Sequence, residues 1–266
     1  MAHLEVDGLE LSFGGVRALG GVSFQVDQRE LLALIGPNGA GKTTVFNCIS
    51  GLYRPDRGVI RFSGRELIGR KPDRIARLGV ARTFQNIELF RQMTTLENLL
   101  LGRHLHIRCG FLSAALFGPS VVREEIAHRR RVEQIMDLLE LQAARDQPVA
   151  SLPYGTQKMV ELGRALALEP KLLLLDEPSA GMNAEEKQDL VFRISDIRAD
   201  FDVTILLVEH DMRMVMKISD RVLAMNNGEM ITCGEPEQVQ SHPEVLRAYL
   251  GEAEEVEQGD APRPQP

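Results

Sequence analysis

At 266 residues the chain is long enough for one large or two modest globular units with a proper core, which excludes a peptide or a disulfide-stapled miniprotein. Hydrophobic residues at 44% and charged residues at 26% match an ordinary soluble domain, while 31 Lys and Arg against 38 Asp and Glu give a net charge of -7 that disfavours nucleic-acid binding by the whole surface. The cysteines Cys48, Cys109 and Cys233 are far apart and show no C-x-x-C spacing, which argues against a disulfide framework or zinc site and fits a reducing compartment.

The opening MAHLEVDGLE carries Glu5 and Asp7 with no basic-then-apolar pattern, so it is not expected to be a secretory signal. Alternating apolar residues predict strands over Leu4–Phe13 and Val22–Val26, and the apolar run Leu31–Ile35 predicts a third that stops at Gly36. The segment after Gly41 has helical apolar spacing and stops at Gly51. Arg54–Arg82 holds nine basic residues against Asp56, Glu66 and Asp73, read as a solvated face. Residues 93–145 lose the strand pattern and predict helices around Leu96–Leu101 and over Arg123–Leu141, with the apolar GFLSAALFG between them too short to span a bilayer.

Beyond Pro148 the pattern predicts a helix over about Gly155–Leu168, a strand Leu172–Leu175, a helix Asn183–Ala199 and a strand Val203–Val208, an alternation that implies a parallel sheet. Arg221–Thr232 reads as a hairpin around Asn226-Asn227-Gly228. The ending GEAEEVEQGDAPRPQP, with five acids and three prolines, is expected to be flexible. No apolar run reaches the roughly 18 to 20 residues of a membrane-spanning helix.

Two segments carry chemistry. Gly36-Pro37-Asn38-Gly39-Ala40-Gly41-Lys42-Thr43 fits G-x-x-x-x-G-K-[ST] between a predicted strand and a predicted helix. Glycines let backbone N–H groups wrap phosphates at a helix N-terminus, the lysine reaches the β- and γ-phosphates, and the threonine hydroxyl ligates Mg²⁺. Further on, the apolar Leu172–Leu175 delivers Asp176 and Glu177 at the carboxyl end of a parallel strand, where such sheets place ligands. Asp176 suits the Mg²⁺ shell, and Glu177 is placed to deprotonate a water attacking the γ-phosphate.

With these two anchors and the helical stretch between them, residues 4–250 resemble the ATP-binding cassette family of ATPases. The resemblance implies an α/β P-loop NTPase cassette with a mainly parallel core sheet, an N-terminal antiparallel β region and a helical subdomain inserted at about 90–160. It implies one ATPase domain over 1–250, a tail over 251–266, and ATP and Mg²⁺ as cofactors. Carried over residue by residue, the nucleotide contacts are Phe13 for adenine and Gly36, Pro37, Asn38, Gly39, Ala40, Gly41, Lys42, Thr43 and Thr44 for the phosphates. Thr43 and Asp176 face the metal, Gln85 contacts the metal or the attacking water and senses the membrane partner, Glu177 is the base, and His210 is the family's switch histidine. The signature segment, typically L-S-G-G-Q, corresponds to Leu152-Pro153-Tyr154-Gly155-Thr156, so Pro153 replaces a serine that meets the opposing subunit's γ-phosphate. Gly155 and Thr156 keep the anion-binding role there, and proline suits the first turn of a helix. Asn183 stands where the family's dimer-contact loop usually has Asp, and alone reads as a helix N-cap.

The start Phe13-Gly14-Gly15, the insert at 102–125 and the ending from Gly234-Glu235-Pro236 through Ala248-Tyr249-Leu250-Gly251 together resemble ATPase subunits of bacterial branched-chain amino acid importers. That resemblance implies a second cassette, homo- or heterodimeric, separate permease subunits met by Gln85 and Asn86–Phe90, indirect work with a periplasmic binding protein, no nucleic acid, and the cytoplasmic face of the inner membrane. Relatives handling urea, amides or aromatic acids share the pattern, and a lipopolysaccharide-export ATPase or a soluble cassette acting on nucleic acid stay as alternatives.

Overall fold

The computed structural model describes residues 3–107 and 119–249. In chain order they form β1 (Leu4–Phe13), β2 (Val16–Val26), β3 (Leu31–Ile35), α1 (Lys42–Ile49), β4 (Arg57–Phe62), β5 (Arg65–Glu66), α2 (Pro72–Ala76), β6 (Val80–Arg82) and α3 (Thr95–Gly102). There follow α4 (Pro119–Leu138), α5 (Tyr154–Leu166), β7 (Leu172–Asp176), α6 (Ala184–Phe201), β8 (Thr204–Val208), α7 (Met212–Ile218), β9 (Arg221–Asn226), β10 (Glu229–Gly234) and α8 (Pro236–Gln240). A last helical stretch covers 243–249. The chain divides into two compact units, one running to Lys71 and resuming at Leu206, the other Pro72–Ile205.

In the first unit β1 pairs antiparallel with both β2 and β4, giving a sheet of order β2-β1-β4-β5. Its inner side is set by burial of Leu4 and Val6 and, after a register shift at Gly8, of Leu9 and Leu11. The sequence pattern starts the second strand at Val22, because Gly20-Gly21 reads as a break. The ladder runs through it instead: Leu9 opposes Val22 and Glu10 opposes Gly20, so Gly21, at φ 96°, is the extra residue of a bulge that only glycine adopts without strain. Arg57 and Arg61 of β4 lie on the solvent side beside Glu10 and Glu5, at 3.9 and 3.4 Å, so this part of the basic stretch is a solvated face.

The other sheet of this unit has the order β10-β9-β3-β8. β3 and β9 are parallel, and β9 turns back into β10 through Asn227 and Gly228, both at positive φ, as a two-residue hairpin with right-handed twist requires. All five residues of β3 are buried, which is why it reads as a continuous apolar run with no alternation.

In the second unit β6 and β7 are parallel neighbours, with Val80 opposite Leu172. Its helices bury Leu99 from α3, Val132 and Ile135 from α4, and Leu162 and Leu166 from α5. The expected long helix is in place but shifted toward the N-terminus, at Pro119–Leu138. The expected apolar insert over 110–118 and the tail over 251–266 lie outside the described residues. Among the described residues no helix is long and apolar enough to cross a membrane.

Candidate functional site

The first unit carries the glycine-rich loop between β3 and α1. Gly36 sits at φ 149°, where a Cβ would collide with the Met225 carbonyl oxygen, and Gly41 at φ 96° is the N-cap of α1 with no side-chain capping bond. The loop wraps because these positions are glycine. Lys42 is buried, and its Nζ donates to the carbonyls of Gly36 (2.6 Å) and Pro37 (2.8 Å), so the ammonium is held over the loop. Asn38, Gly39 and Thr43 face solvent, Thr44 is half-buried, and Pro37 and Ala40 are buried. Phe13 ends β1 with 46% of its surface exposed, its ring edge-on to Tyr53 at 5.1 Å, so a flat aromatic is presented outward and not packed into the core. His210, also in this unit, is largely exposed beside buried Glu209, whose Oε2 accepts the backbone N–H groups of His210 (3.0 Å) and Asp211 (3.3 Å).

The second unit carries the carboxylates. β7 delivers buried Asp176 at its end, and the Arg82 guanidinium at the end of neighbouring β6 donates to its Oδ2 at 2.7 Å. Glu177 follows in a left-handed conformation at φ 46°, which turns the chain sharply at the strand end, and its Oε2 accepts from Gln85 Nε2 at 2.9 Å. Thus the parallel pairing of β6 and β7 brings Gln85 to Glu177.

Behind Gln85, α5 inserts two buried charges one turn apart. Lys158 Nζ donates to the carbonyls of Gln85 (2.7 Å) and Phe84 (3.3 Å), and Glu161 Oε1 accepts the N–H groups of Phe84 and Glu88 at 3.4 Å. Burial pushes the Glu161 carboxyl above its ordinary range, opposed in part by the Lys158 ammonium at 3.7 Å. Sequence reasoning missed Arg82, Lys158 and Glu161. Their signal was a charge at a position that periodicity assigns to a buried helix face or strand end.

The signature segment opens α5. Pro153 is the N-cap, one position outside the expected first turn, and the helix begins at Tyr154 because the proline carbonyl already accepts the Gln157 N–H at 3.0 Å. Gly155 is buried where a Cβ would collide with the Glu186 carboxylate, and Thr156 is half-buried. Glu186 is held by a reciprocal capping box with Asn183, which is the N-cap of α6. Nearby in the same unit, Phe84, Phe90, Leu101, Glu161 and Arg164 border an open cavity of about 420 Å³ that is mostly apolar, with Phe90 58% exposed.

The arrangement in each unit is matched by known proteins. Residues 19–180 match the ABC transporter family model, and residues 229–255 match that of the branched-chain amino acid ATP-binding cassette transporter. The chain is 43% identical over 250 residues to the high-affinity branched-chain amino acid transport ATP-binding proteins BraF of Pseudomonas aeruginosa and LivG of Escherichia coli, covering 94% of this chain and 98% of each. A crystal structure of the ADP conformation of an ATP-binding cassette from an ABC transporter superposes with a TM-score of 0.82 at 32% identity, covering 94% of this chain and 99% of that one. The chain therefore belongs to the ABC transporter family. It is an ATP-binding cassette that hydrolyses ATP in the service of transport.

Proposed function

We propose that this cassette powers an importer of branched-chain amino acids or related small amino acids and amides. It pairs with a second cassette and docks on separate permease subunits at the cytoplasmic face of the inner membrane, in a system fed by a periplasmic binding protein. The names of the relatives above and the match over 229–255 support the substrate class.

In this reading Phe13 stacks on adenine, and Gly36 through Thr44 hold the phosphates with backbone N–H groups and Lys42. Thr43, Gln85 and Asp176 offer hydroxyl, amide and carboxylate oxygens, the hard donors that suit Mg²⁺, and the ion when bound neutralises charge on the β- and γ-phosphates. Arg82 orients the Asp176 carboxylate. Glu177 takes a proton from the attacking water, whose oxygen bonds to the γ-phosphorus as the bond to the β,γ-bridging oxygen breaks, leaving ADP and phosphate. Gln85 holds Glu177 and reports to the permease, His210 stabilises the transferring phosphoryl group, and Gly155 with Thr156 contact the γ-phosphate held by the opposing cassette.

The observation that supports this reading most is the Gln85–Glu177 hydrogen bond, the contact expected if Glu177 is the base and Gln85 the coupling residue. Glu177→Gln, co-expressed with the permease subunits, is expected to bind ATP and dimerise while losing at least about a hundredfold in turnover, the lower range for a positioned base. Near-normal steady-state hydrolysis sinks the role of Glu177. In proteoliposomes with the binding protein, leucine is expected to stimulate hydrolysis and a sugar such as maltose to leave it at baseline; the reverse overturns the substrate class.

A further inference from the structure

The last described turn of the chain reaches back to the glycine-rich loop. Residues 243–249 are helical and anchored by buried Val245, and the Tyr249 hydroxyl accepts the Gly36 N–H at 2.9 Å across 213 residues of sequence. β3 ends at Ile35, so Gly36 is the first residue beyond the strand. Its carbonyl is the one that accepts Lys42 Nζ at 2.6 Å. Gly36 is therefore gripped from both sides, by a hydroxyl from the C-terminal helix on its N–H and by the loop lysine on its C=O. Because a Cβ at Gly36 would strike the Met225 carbonyl, this residue has no side chain with which to fix itself, and its placement depends on these two bonds and on the adjoining strand.

We propose that Tyr249 is a positioning residue for nucleotide binding: the C-terminal helix straps the entrance of the phosphate loop, and through Gly36 it holds Lys42 where the β-phosphate arrives. The inference rests on the reading of Gly36–Thr44 as the phosphate site. It gives a task to the C-terminal segment, which lies in the stretch matched over 229–255.

Tyr249→Phe removes one oxygen and keeps the ring that packs there. Titration calorimetry of the full-length chain with ADP and with AMP separates positioning from general support, because the strap acts on the loop that receives the second phosphate. The expected result is ADP binding weakened about fivefold to tenfold, the size of one lost hydrogen bond to a buried N–H, with AMP binding unchanged. On a Lys42→Ala background the same substitution is expected to add less than twofold, because the lysine it positions is gone. ADP affinity within twofold of the parent, or equal losses for ADP and AMP, overturns the proposal while leaving the phosphate site intact. Unchanged ADP affinity in Lys42→Ala alone removes the phosphate-site reading itself, and the strap's task with it.

Discussion

Pro153 is one of the residues at which this chain leaves the family pattern, and its place in the structure changes the balance of terms. At the N-cap of α5 it has no side chain able to accept an N–H from the first turn. Serine at an N-cap contributes about 1 kcal/mol through such a bond, which offsets the roughly 0.4 to 1 kcal/mol lost when proline no longer restricts the unfolded chain. The isolated subunit should thus be nearly unchanged in stability by Pro153→Ser. The dimer is a different matter, because the same hydroxyl can donate to a phosphate while accepting from the helix, and a hydrogen bond to a charged group contributes about 1.5 to 3 kcal/mol. Pro153→Ser in a Glu177→Gln background is expected to tighten the ATP-bound dimer by about tenfold or more, read by analytical ultracentrifugation at saturating ATP. An unchanged or weaker dimer would mean that Gly155 and Thr156 already satisfy the phosphate.

A helix such as α5 ordinarily contributes one apolar stripe to a core, and Leu162, Ala165 and Leu166 do this. It also contributes the buried pair Lys158 and Glu161, whose hydrogen bonds fix the backbone of Phe84, Gln85 and Glu88. α5 therefore links Leu152–Thr156 at its start with Gln85 at its flank. Taking one partner from a buried ion pair costs about 3 to 5 kcal/mol, because the other charge is left without compensation, whereas replacing both by apolar residues of similar size is often neutral. Lys158→Met is accordingly expected to destabilise the protein by that amount in urea unfolding, and Lys158→Met with Glu161→Met by much less. Equal losses in the two variants would show that the pair is not coupled and that Lys158 acts only through the Gln85 carbonyl.

For the whole molecule the question is how a chain with no membrane-crossing helix among its described residues drives transport. In the segment from Gln85 to Phe90, residues Gln85, Asn86, Glu88 and Phe90 are exposed, and Phe90 borders the cavity with Phe84, Leu101 and Arg164, a concave, mostly apolar surface suited to a short helix of a permease subunit. A cysteine at Phe90 is expected to cross-link to the permease in the assembled transporter, and one at exposed Arg57 in the other unit is expected not to. Absence of cross-linking from position 90 in every nucleotide state would remove this surface from the coupling path. The sequence alone determined what is local. Gly36–Thr43 is legible because wrapping a phosphate needs consecutive residues of fixed type, and β3, β7 and β8 are legible because strands buried on both faces are continuous apolar runs. Strand β2 was only half legible, since a glycine pair in a bulge has the same composition as a break. The bond from Arg82 to Asp176 spans 94 residues, that from Lys158 to Gln85 spans 73, and that from Tyr249 to Gly36 spans 213. No periodicity reaches so far along a chain, and charged or hydroxyl side chains read as surface until folding encloses them; only the tertiary structure decided which polar group each would meet.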